Sequence, residues 1–394
     1  MPTASDQVVA LNWMTGNTKR EDSLGPINWD ALVQYATNIK GQRDGNRDWI
    51  TCQLSSEYNM GGRNLVRRLD FQDGTHWIAR IQLDEHTAES TERLVHEVHT
   101  MAVVRERSEI PVPEVYAYES NCDNSVAVPF ILMEFVPGDT AMDSFGGYNV
   151  HRGETPPQFK RKFHAAMADI QVQMSAIRFP RIGSVIKSLD GTYSIGPLPG
   201  IGGPFESAAH FFEAWADNAR FPYSEEFIRE RTPKDLADEV LECIKAFPSR
   251  LKQSIPNLRF REGPFPLFHT DFYNSNIIIN PQHDILSVID WEDALVAPWE
   301  LVEFAKGLSI VPPAMDGPLY REDEVRRQLL AERMKYVELA KDAEKARGLD
   351  NCLSAILEDS NAQHFAHALW LYEDGRIGYY GAILDAFGEN NGSE

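Results

Sequence analysis

Residues 265–292, FPLFHTDFYNSNIIINPQHDILSVIDWE, constrain the fold more than any other stretch of this chain. An apolar run leads into the polar loop HTDFYNSN; a second apolar run, IIIN, is followed by the turn PQHD and by the run ILSVI, which ends at Asp290. Short apolar runs separated by turn residues read as two strands of a hairpin. One polar loop enters this hairpin and one carboxylate leaves it, so Asp271 and Asp290 are expected at the same end. Two carboxylates and the amide of Asn276 at one edge suit a hydroxyl group to be activated and magnesium to be held. That ion takes one or two protein carboxylates and fills its other positions with water and phosphate oxygens.

His269-x-Asp271 with Asn276 five residues after the Asp is the spacing of the kinase catalytic loop, and the later Asp290 stands where the metal-binding Asp of that pattern falls. With Pro266-Leu267-Phe268 ahead of the loop and Asp290-Trp291-Glu292 behind it, the segment resembles the aminoglycoside phosphotransferase and choline kinase family of small-molecule kinases. The usual form there is H-G-D-x-x-x-x-N followed by I-D-W/F-E, and Thr270 stands where the Gly is usual. The resemblance covers most of residues 50–305. It implies an α+β, two-lobed protein-kinase-like fold with a small β-rich N-lobe and a larger, mainly helical C-lobe. The implied division is an N-terminal extension over 1–50, a nucleotide-binding N-lobe over 51–136, and a C-lobe over 137–394 that holds the catalytic loop 267–292 and an acceptor pocket.

Taken in order, residues 27–41 space Trp29, Leu32, Val33, Tyr35 and Ile39 as a helix that stops at Gly41, expected to pack on the first lobe. From Thr51 the pattern turns to strands: a polar Ser/Asn/Gly loop over 55–64, the alternating run NLVRRLDF, the turn Asp73-Gly74, and the run HWIARIQL. Asp-Gly between alternating runs is a hairpin signal. The loop is either an ordinary polar turn or, as the resemblance implies, a phosphate cover in which Gly61 and Gly62 admit the backbone to ATP and Asn64 follows. It is no Walker loop and a poor match to G-x-G-x-x-G.

Arg80 lies within the apolar strand WIARI, where an unpaired buried cation would cost several kcal/mol, so its head either reaches solvent or meets an anion. The resemblance gives it the place of the phosphate-binding Lys. In the helix expected over 91–108, Glu97 is either a surface residue or the partner that orients Arg80. The strand PFILMEFVPG resembles the family hinge, whose adenine contacts fall on the Glu134 C=O and the Val136 N–H.

Farther on, residues 159–179 space Phe163, Met167, Ile170, Met174 and Ile177 as a core helix. Residues 180–207, rich in Gly and Pro, read as an irregular connector; their GIGG lacks the strand and third Gly of a dinucleotide site. Two helical segments are expected over 205–255, where relatives build the acceptor pocket, with His210, Phe211, Trp215 and Asp217 available. DALVAPWELVEFAKGL is expected to run almost directly into a helix, leaving no room for an activation segment. The usual P-x-x-D-L-A is altered to Pro298-Trp299-Glu300-Leu301, which puts a supporting contact beneath the catalytic loop in doubt. A charged amphipathic helix over 324–348 reads as solvated, residues 364–387 as core, and the tail after Phe387 as frayed.

Composition excludes other classes. The net charge of -21 argues against a nucleic-acid partner and leans toward a cationic acceptor. No apolar run is long enough to span a membrane, and residues 1–17 lack the basic start and apolar core of a secretory signal. Cys52, Cys122, Cys243 and Cys352, widely spaced, read as reduced, buried thiols, and cytoplasmic placement follows.

The function implied is transfer of the ATP γ-phosphate to a hydroxyl of a small molecule. Asp271 would take the hydroxyl proton, His269 hold the loop, and Asn276 and Asp290 bind Mg2+, with Glu292 as a further contact. A nucleotide-binding pseudokinase that has lost transfer is the competing reading, motivated by the thin Gly loop, by Arg80 and by the Pro298 segment.

Overall fold

The structure is a computed structural model that describes residues 24–45, 50–83 and 85–389. The readings of residues 1–17 and of the tail beyond Glu389 lie outside these. The described residues form two compact units, one running to Pro156 and including Asn274–Asp293, the other comprising Pro157–Tyr273 and the residues from Ala294 onward. The polar loop thus passes from the second unit to the first between Tyr273 and Asn274, and residues 137–156 belong with the sheet.

The first unit is built on a five-stranded antiparallel sheet, β1 (Cys52–Met60), β2 (Asn64–Phe71), β3 (His76–Gln82), β4 (Val115–Glu119) and β5 (Phe130–Glu134), in the order β1-β2-β3-β5-β4. Alternation sets its two faces. Trp77, Ala79 and Ile81 of β3 join Leu65, Leu69, Phe130 and Leu132 in a core with Leu32 and Ala36 of helix α1 (Trp29–Asp44). Arg80 and Gln82, of opposite parity, face helix α2 (Ala88–Arg107), where the Gln82 amide donates to the Ser90 carbonyl at 3.1 Å. Helix α2 starts with a capping box in which Thr87 and Ser90 satisfy each other's amides.

The Asp73-Gly74 turn forms as its chemistry demands, with Gly74 at φ +84° and the Asp73 carboxylate accepting from the Thr75 amide at 3.0 Å. The loop expected over 55–64 is different. Residues through Met60 belong to β1, whose pairing with β2 skips register between Leu54 and Tyr58, so the open turn shrinks to Gly61–Arg63. Its polar residues mislead because the strand is bulged and exposed at Gln53, Ser56, Glu57 and Asn59.

A second sheet in this unit pairs β6 (Asp139–Thr140) with β7 (Ile277–Ile279) and β7 with β8 (Ile285–Val288). The last two are the expected hairpin, in the register Ile277↔Val288. Gly138 lets β6 close on it, since a Cβ there would stand 2.5 Å from the Ile279 carbonyl oxygen.

The second unit is mainly helical. Its helices are α3 (Pro157–Ala176), α4 (Ala208–Asn218), α5 (Glu225–Arg231), α6 (Ala237–Ser254), α7 (Glu324–Arg347), α8 (Cys352–Glu358), α9 (Ser360–Glu373) and α10 (Tyr380–Glu389). Phe163, Met167, Ile170 and Met174 of α3 are core, as expected. Helix α7 is less solvated than its charge suggests: Tyr336, Val337 and Ala340 are buried and Arg347 grips Asp169 of α3 through two bonds of 2.8 and 2.9 Å. The 180–207 connector contains a hairpin, Ser184–Lys187 against Tyr193–Gly196, turned by Asp190-Gly191. Three helices rather than two occupy 205–255.

Residues 294–308 form no α-helix. A short strand, Leu295–Val296, and two 3-10 turns, Trp299–Leu301 and Lys306–Leu308, replace it. Side chains satisfy the backbone instead: Gln171 donates to the Glu303 carbonyl at 2.7 Å, and Gln363 donates to that of Val302 at 2.9 Å while accepting from the Phe304 amide at 3.2 Å. The fold class is α+β, an antiparallel sheet unit and a mainly helical unit.

Candidate active site

In the sheet unit three acids singled out from the sequence converge on the guanidinium of Arg80. Arg80 donates to Glu97 from one nitrogen, and from the other to Asp290 at 2.7 Å and Glu292 at 2.9 Å. Asn64 reaches the same cluster, its amide donating to Glu292 at 2.9 Å. Strand β3 aims Arg80, α2 supplies Glu97, and the segment after β8 brings both later acids. Trp291, fully buried with its indole N–H on the Val288 carbonyl at 3.1 Å, turns inward, and its neighbours Asp290 and Glu292 both bond Arg80. Asp290 itself takes a left-handed backbone, φ +65°, tolerated by Asp more readily than by bulkier residues.

Three carboxylates share one guanidinium, and the electrostatics follow. The three acids raise the affinity of Arg80 for its proton, against a burial that opposes it. Burial pushes Glu97 up to about 7; Arg80 pulls it down, while Asp290 and Glu292 add repulsion. For Glu292, Arg80, Asn64 and Arg63 outweigh burial and hold the carboxyl below its ordinary range. An anion arriving at Arg80 would therefore compete with carboxylates already bonded there.

Asn276 and Asp290 lie at one end of the hairpin, as expected, joined by the Ile289 amide donating to the Asn276 carbonyl at 2.9 Å. Their side chains offer hard oxygens, and that of Asp290 is 37% exposed. This donor set fits magnesium. Among the described residues no group of three or more His, Cys, Asp or Glu is arranged to hold a metal, so an ion here would need oxygens from a substrate.

Gly61 and Gly62 sit in the β1–β2 turn, closed by the Gly61 amide on the Asn64 carbonyl at 2.8 Å. Neither has positive φ, and a Cβ on Gly62 would meet nothing within 4 Å, so the protein's own packing does not call for glycine there. Glu134 ends β5 with its amide on the Glu114 carbonyl at 2.8 Å; Val136 follows the strand, outside the ladder.

The helical unit holds His269 and Asp271. The Asp271 amide donates to His269 Nδ1 at 3.2 Å, which makes the buried imidazole a brace for the loop rather than a proton donor from that nitrogen. The Phe272 carbonyl accepts from the Lys306 amide at 2.9 Å, so backbone beyond the altered Pro298-Trp299-Glu300-Leu301 segment contacts the loop. Glu300, the displaced acid, is buried, accepts from the Phe260 amide at 2.7 Å, and is pushed up to about 7 by burial. Phe211 and Trp215 pack in the core, whereas His210 and Asp217 are exposed, the one bonded to the Ser207 cap and the other paired with Lys252 at 2.5 Å. The cysteines are free, but only Cys52 is buried.

Sequence reading missed Arg63, Arg93 and Asp293. Arg63 donates to Asp293 at 2.7 Å and to Glu292 at 3.2 Å, and Asp293 lies 3.5 Å from Arg93. The available signal was Arg63 immediately after the glycine pair.

The sequence profile described as phosphotransferase enzyme family matches residues 56–306. The altered inheritance of mitochondria protein 9, mitochondrial, of Debaryomyces hansenii is 25% identical over 157 residues, 40% of this chain and 25% of that protein. The clavilactone A biosynthesis cluster protein Y of Ampulloclitocybe clavipes is 24% identical over 217 residues, 53% of this chain and 51% of that one. The matches thus span about a quarter to a half of these curated relatives. Among solved structures, Plasmodium vivax ethanolamine kinase aligns over 98% of each chain at 12% identity and a TM-score of 0.45. No described helix is long and apolar enough to cross a membrane.

Proposed function

This chain belongs to the phosphotransferase enzyme family, and from that premise we propose that it moves the γ-phosphoryl group of ATP to a hydroxyl of a small molecule. The observation that carries this reading is the convergence of Arg80, Glu97, Asp290 and Glu292 within the sheet unit. A buried guanidinium with displaceable acidic partners is suited to grip phosphate oxygens through its fork.

Arg80, oriented by Glu97, positions the triphosphate. Asp290 and Asn276 hold magnesium, which when bound neutralises charge on the phosphates. Asp271 orients the acceptor hydroxyl and takes its proton as the oxygen bonds to the γ-phosphorus and the bond to ADP breaks. His269 braces the loop, Gly61 and Gly62 admit the backbone to the phosphates, and Glu134 C=O and Val136 N–H contact adenine. Catalysis is then positioning plus charge stabilisation. The acidic composition favours an amine-bearing acceptor.

A pseudokinase is the second reading, favoured by the direct bond between Arg80 and Asp290, which engages the two groups with each other. We place the protein in the cytoplasm from its unpaired cysteines, which suit a reducing compartment; the Debaryomyces relative carries a mitochondrial label. Fractionation of cells expressing the tagged chain tests that placement.

The deciding assay is ADP release with ATP and magnesium across amines, sugars and amino alcohols. Release that depends on an acceptor and disappears in Asp271→Ala and Asp290→Ala supports the transferase. No release and no ATP binding by calorimetry defeats it.

A further inference from the structure

We propose that Arg63 is a positioning residue that clamps the glycine turn to the acidic segment following β8, so that the phosphate cover and the metal-side carboxylate are set by one ionic link. The proposal rests on the kinase reading for its functional consequence; the clamp itself stands on geometry alone.

The turn is short and its base is fixed. The Gly61 amide bonds the Asn64 carbonyl at 2.8 Å, and the Leu83 amide bonds the Arg63 carbonyl at 2.8 Å, so the backbone on the Arg63 side is tied to the end of β3. A Cβ on Gly62 would meet nothing within 4 Å, and the side chains that leave the turn reach the acidic segment. Arg63 bonds Glu292 Oε1 at 3.2 Å and Asp293 at 2.7 Å, while Asn64 bonds Glu292 Oε2 at 2.9 Å.

Glu292 is therefore a junction. One oxygen takes Arg63, and the other takes both Asn64 and Arg80. Asp293 extends the link to Arg93 of α2, which pairs with Glu89 at 3.0 Å. Charges alternate from Arg80 through Glu292, Arg63, Asp293 and Arg93 to Glu89. The chain of contacts joins the turn, α2 and the residues beside Asp290, positions up to 230 apart in sequence.

An exposed ion pair contributes little to stability, and Arg63 is 41% exposed. Its effect is on placement. A glycine turn held in register with Asp290 presents its amides to phosphates in one arrangement, so less ordering remains to be done when nucleotide binds.

The test compares Arg63→Ala, Asp293→Ala, the double variant and Arg63→Lys with the parent, all as the full chain. Two readouts are taken: amide hydrogen exchange of residues 60–64 without nucleotide, and the dissociation constant for ATP with magnesium by calorimetry. We expect faster exchange and about five-fold weaker ATP binding in each alanine variant, the scale of one exposed pair. The double variant should be no weaker than the worse single one, because both break one link. Arg63→Lys, which keeps the charge, should recover most of both. Unchanged exchange in Arg63→Ala overturns the clamp; faster exchange with unchanged affinity overturns its positioning role. If the parent binds no nucleotide, the kinase reading and the positioning role fail together, and the exchange readout still decides the clamp.

Discussion

Two polar regions of this molecule are buried by opposite means. Around Arg80 in the sheet unit, three carboxylates crowd one guanidinium, and every bond carries charge. Around residues 302–304 in the helical unit, the amides of Gln171 and Gln363 hold irregular backbone with neutral hydrogen bonds, Tyr336 donating to Gln171 at 2.9 Å behind them. Neutral amide bonds to backbone act as scaffold, and the Glu303 carboxylate beside them meets His367 at 2.8 Å. An over-acidified cation is stable yet exchangeable, since each acid it releases can be replaced by another anion. Breaking one should alter chemistry, breaking the other stability, and the two should not mix.

The largest expected effect follows from Asp290. Asp290→Ala removes the exposed member of the charged cluster and the carboxylate proposed for magnesium, so kcat should drop about 100-fold or more. The melting temperature should hold to within a few degrees, because the Asp290 side chain is partly exposed and contributes no core. Steady-state kinetics beside calorimetric melting checks this. Collapse of the fold with the activity would mean the charged cluster is scaffold too.

Gln171→Leu is the reciprocal cut. It leaves the Glu303 carbonyl and the Tyr336 hydroxyl without their partner in a buried place, at a cost of about 1–3 kcal/mol. For a chain of this size that lowers the melting temperature by several degrees. Affinity for ATP, measured well below the melting point, should not move; a marked change would dissolve the distinction between the two regions.

Legibility in the sequence divided along similar lines. The hairpin 277–288 and the Asp73-Gly74 turn were readable because their determinants are local: alternating apolar residues around a turn whose chemistry demands its shape. Arg80 was readable as an anomaly, a cation in an apolar strand that had to find an anion. The strand through residues 55–60 was not, because its polar, bulged sequence pairs only against β2. The absent helix after residue 294 was hidden further, since Gln171 and Gln363, distant by 132 and 61 residues, decide where that backbone bonds. Arg63 and Asp293 were equally remote. Asp190-Gly191 was a local signal of the same kind as Asp73-Gly74, masked by the glycines and prolines around it.

A smaller effect separates the regions by pH. With its carboxyl raised to about 7 in the folded chain and ordinary in the unfolded one, Glu97 binds more protons when folded between roughly pH 4.5 and 7. Its contribution to stability is full below the unfolded value and falls as pH rises through the folded one. Glu97→Gln, which cannot ionise, should therefore gain on the parent from pH 5 to pH 8, by about 2 kcal/mol for a shift from about 4.5 to about 7. Urea melts at both pH values read this directly. Parallel pH slopes in the two proteins would mean that Glu97 stays ionised throughout and the guanidinium fully balances its acids.

The smallest expected change is the most specific about ligand approach. Gly62 has φ that any residue adopts and open space where a Cβ would stand, so Gly62→Ala should leave folding within about 0.5 kcal/mol of the parent. Nothing in the protein then explains a glycine at that position, and the remaining reason is a partner that comes close to the backbone. If phosphates fill that space, the added methyl should raise KM for ATP by a few-fold, with kcat for a saturating acceptor nearly preserved, because the methyl disturbs binding rather than the proton transfer at Asp271. Arg80 would still grip the phosphates, so binding is weakened and not abolished. An unchanged KM would place the nucleotide away from the turn, and the charged cluster alone would have to define the phosphate site.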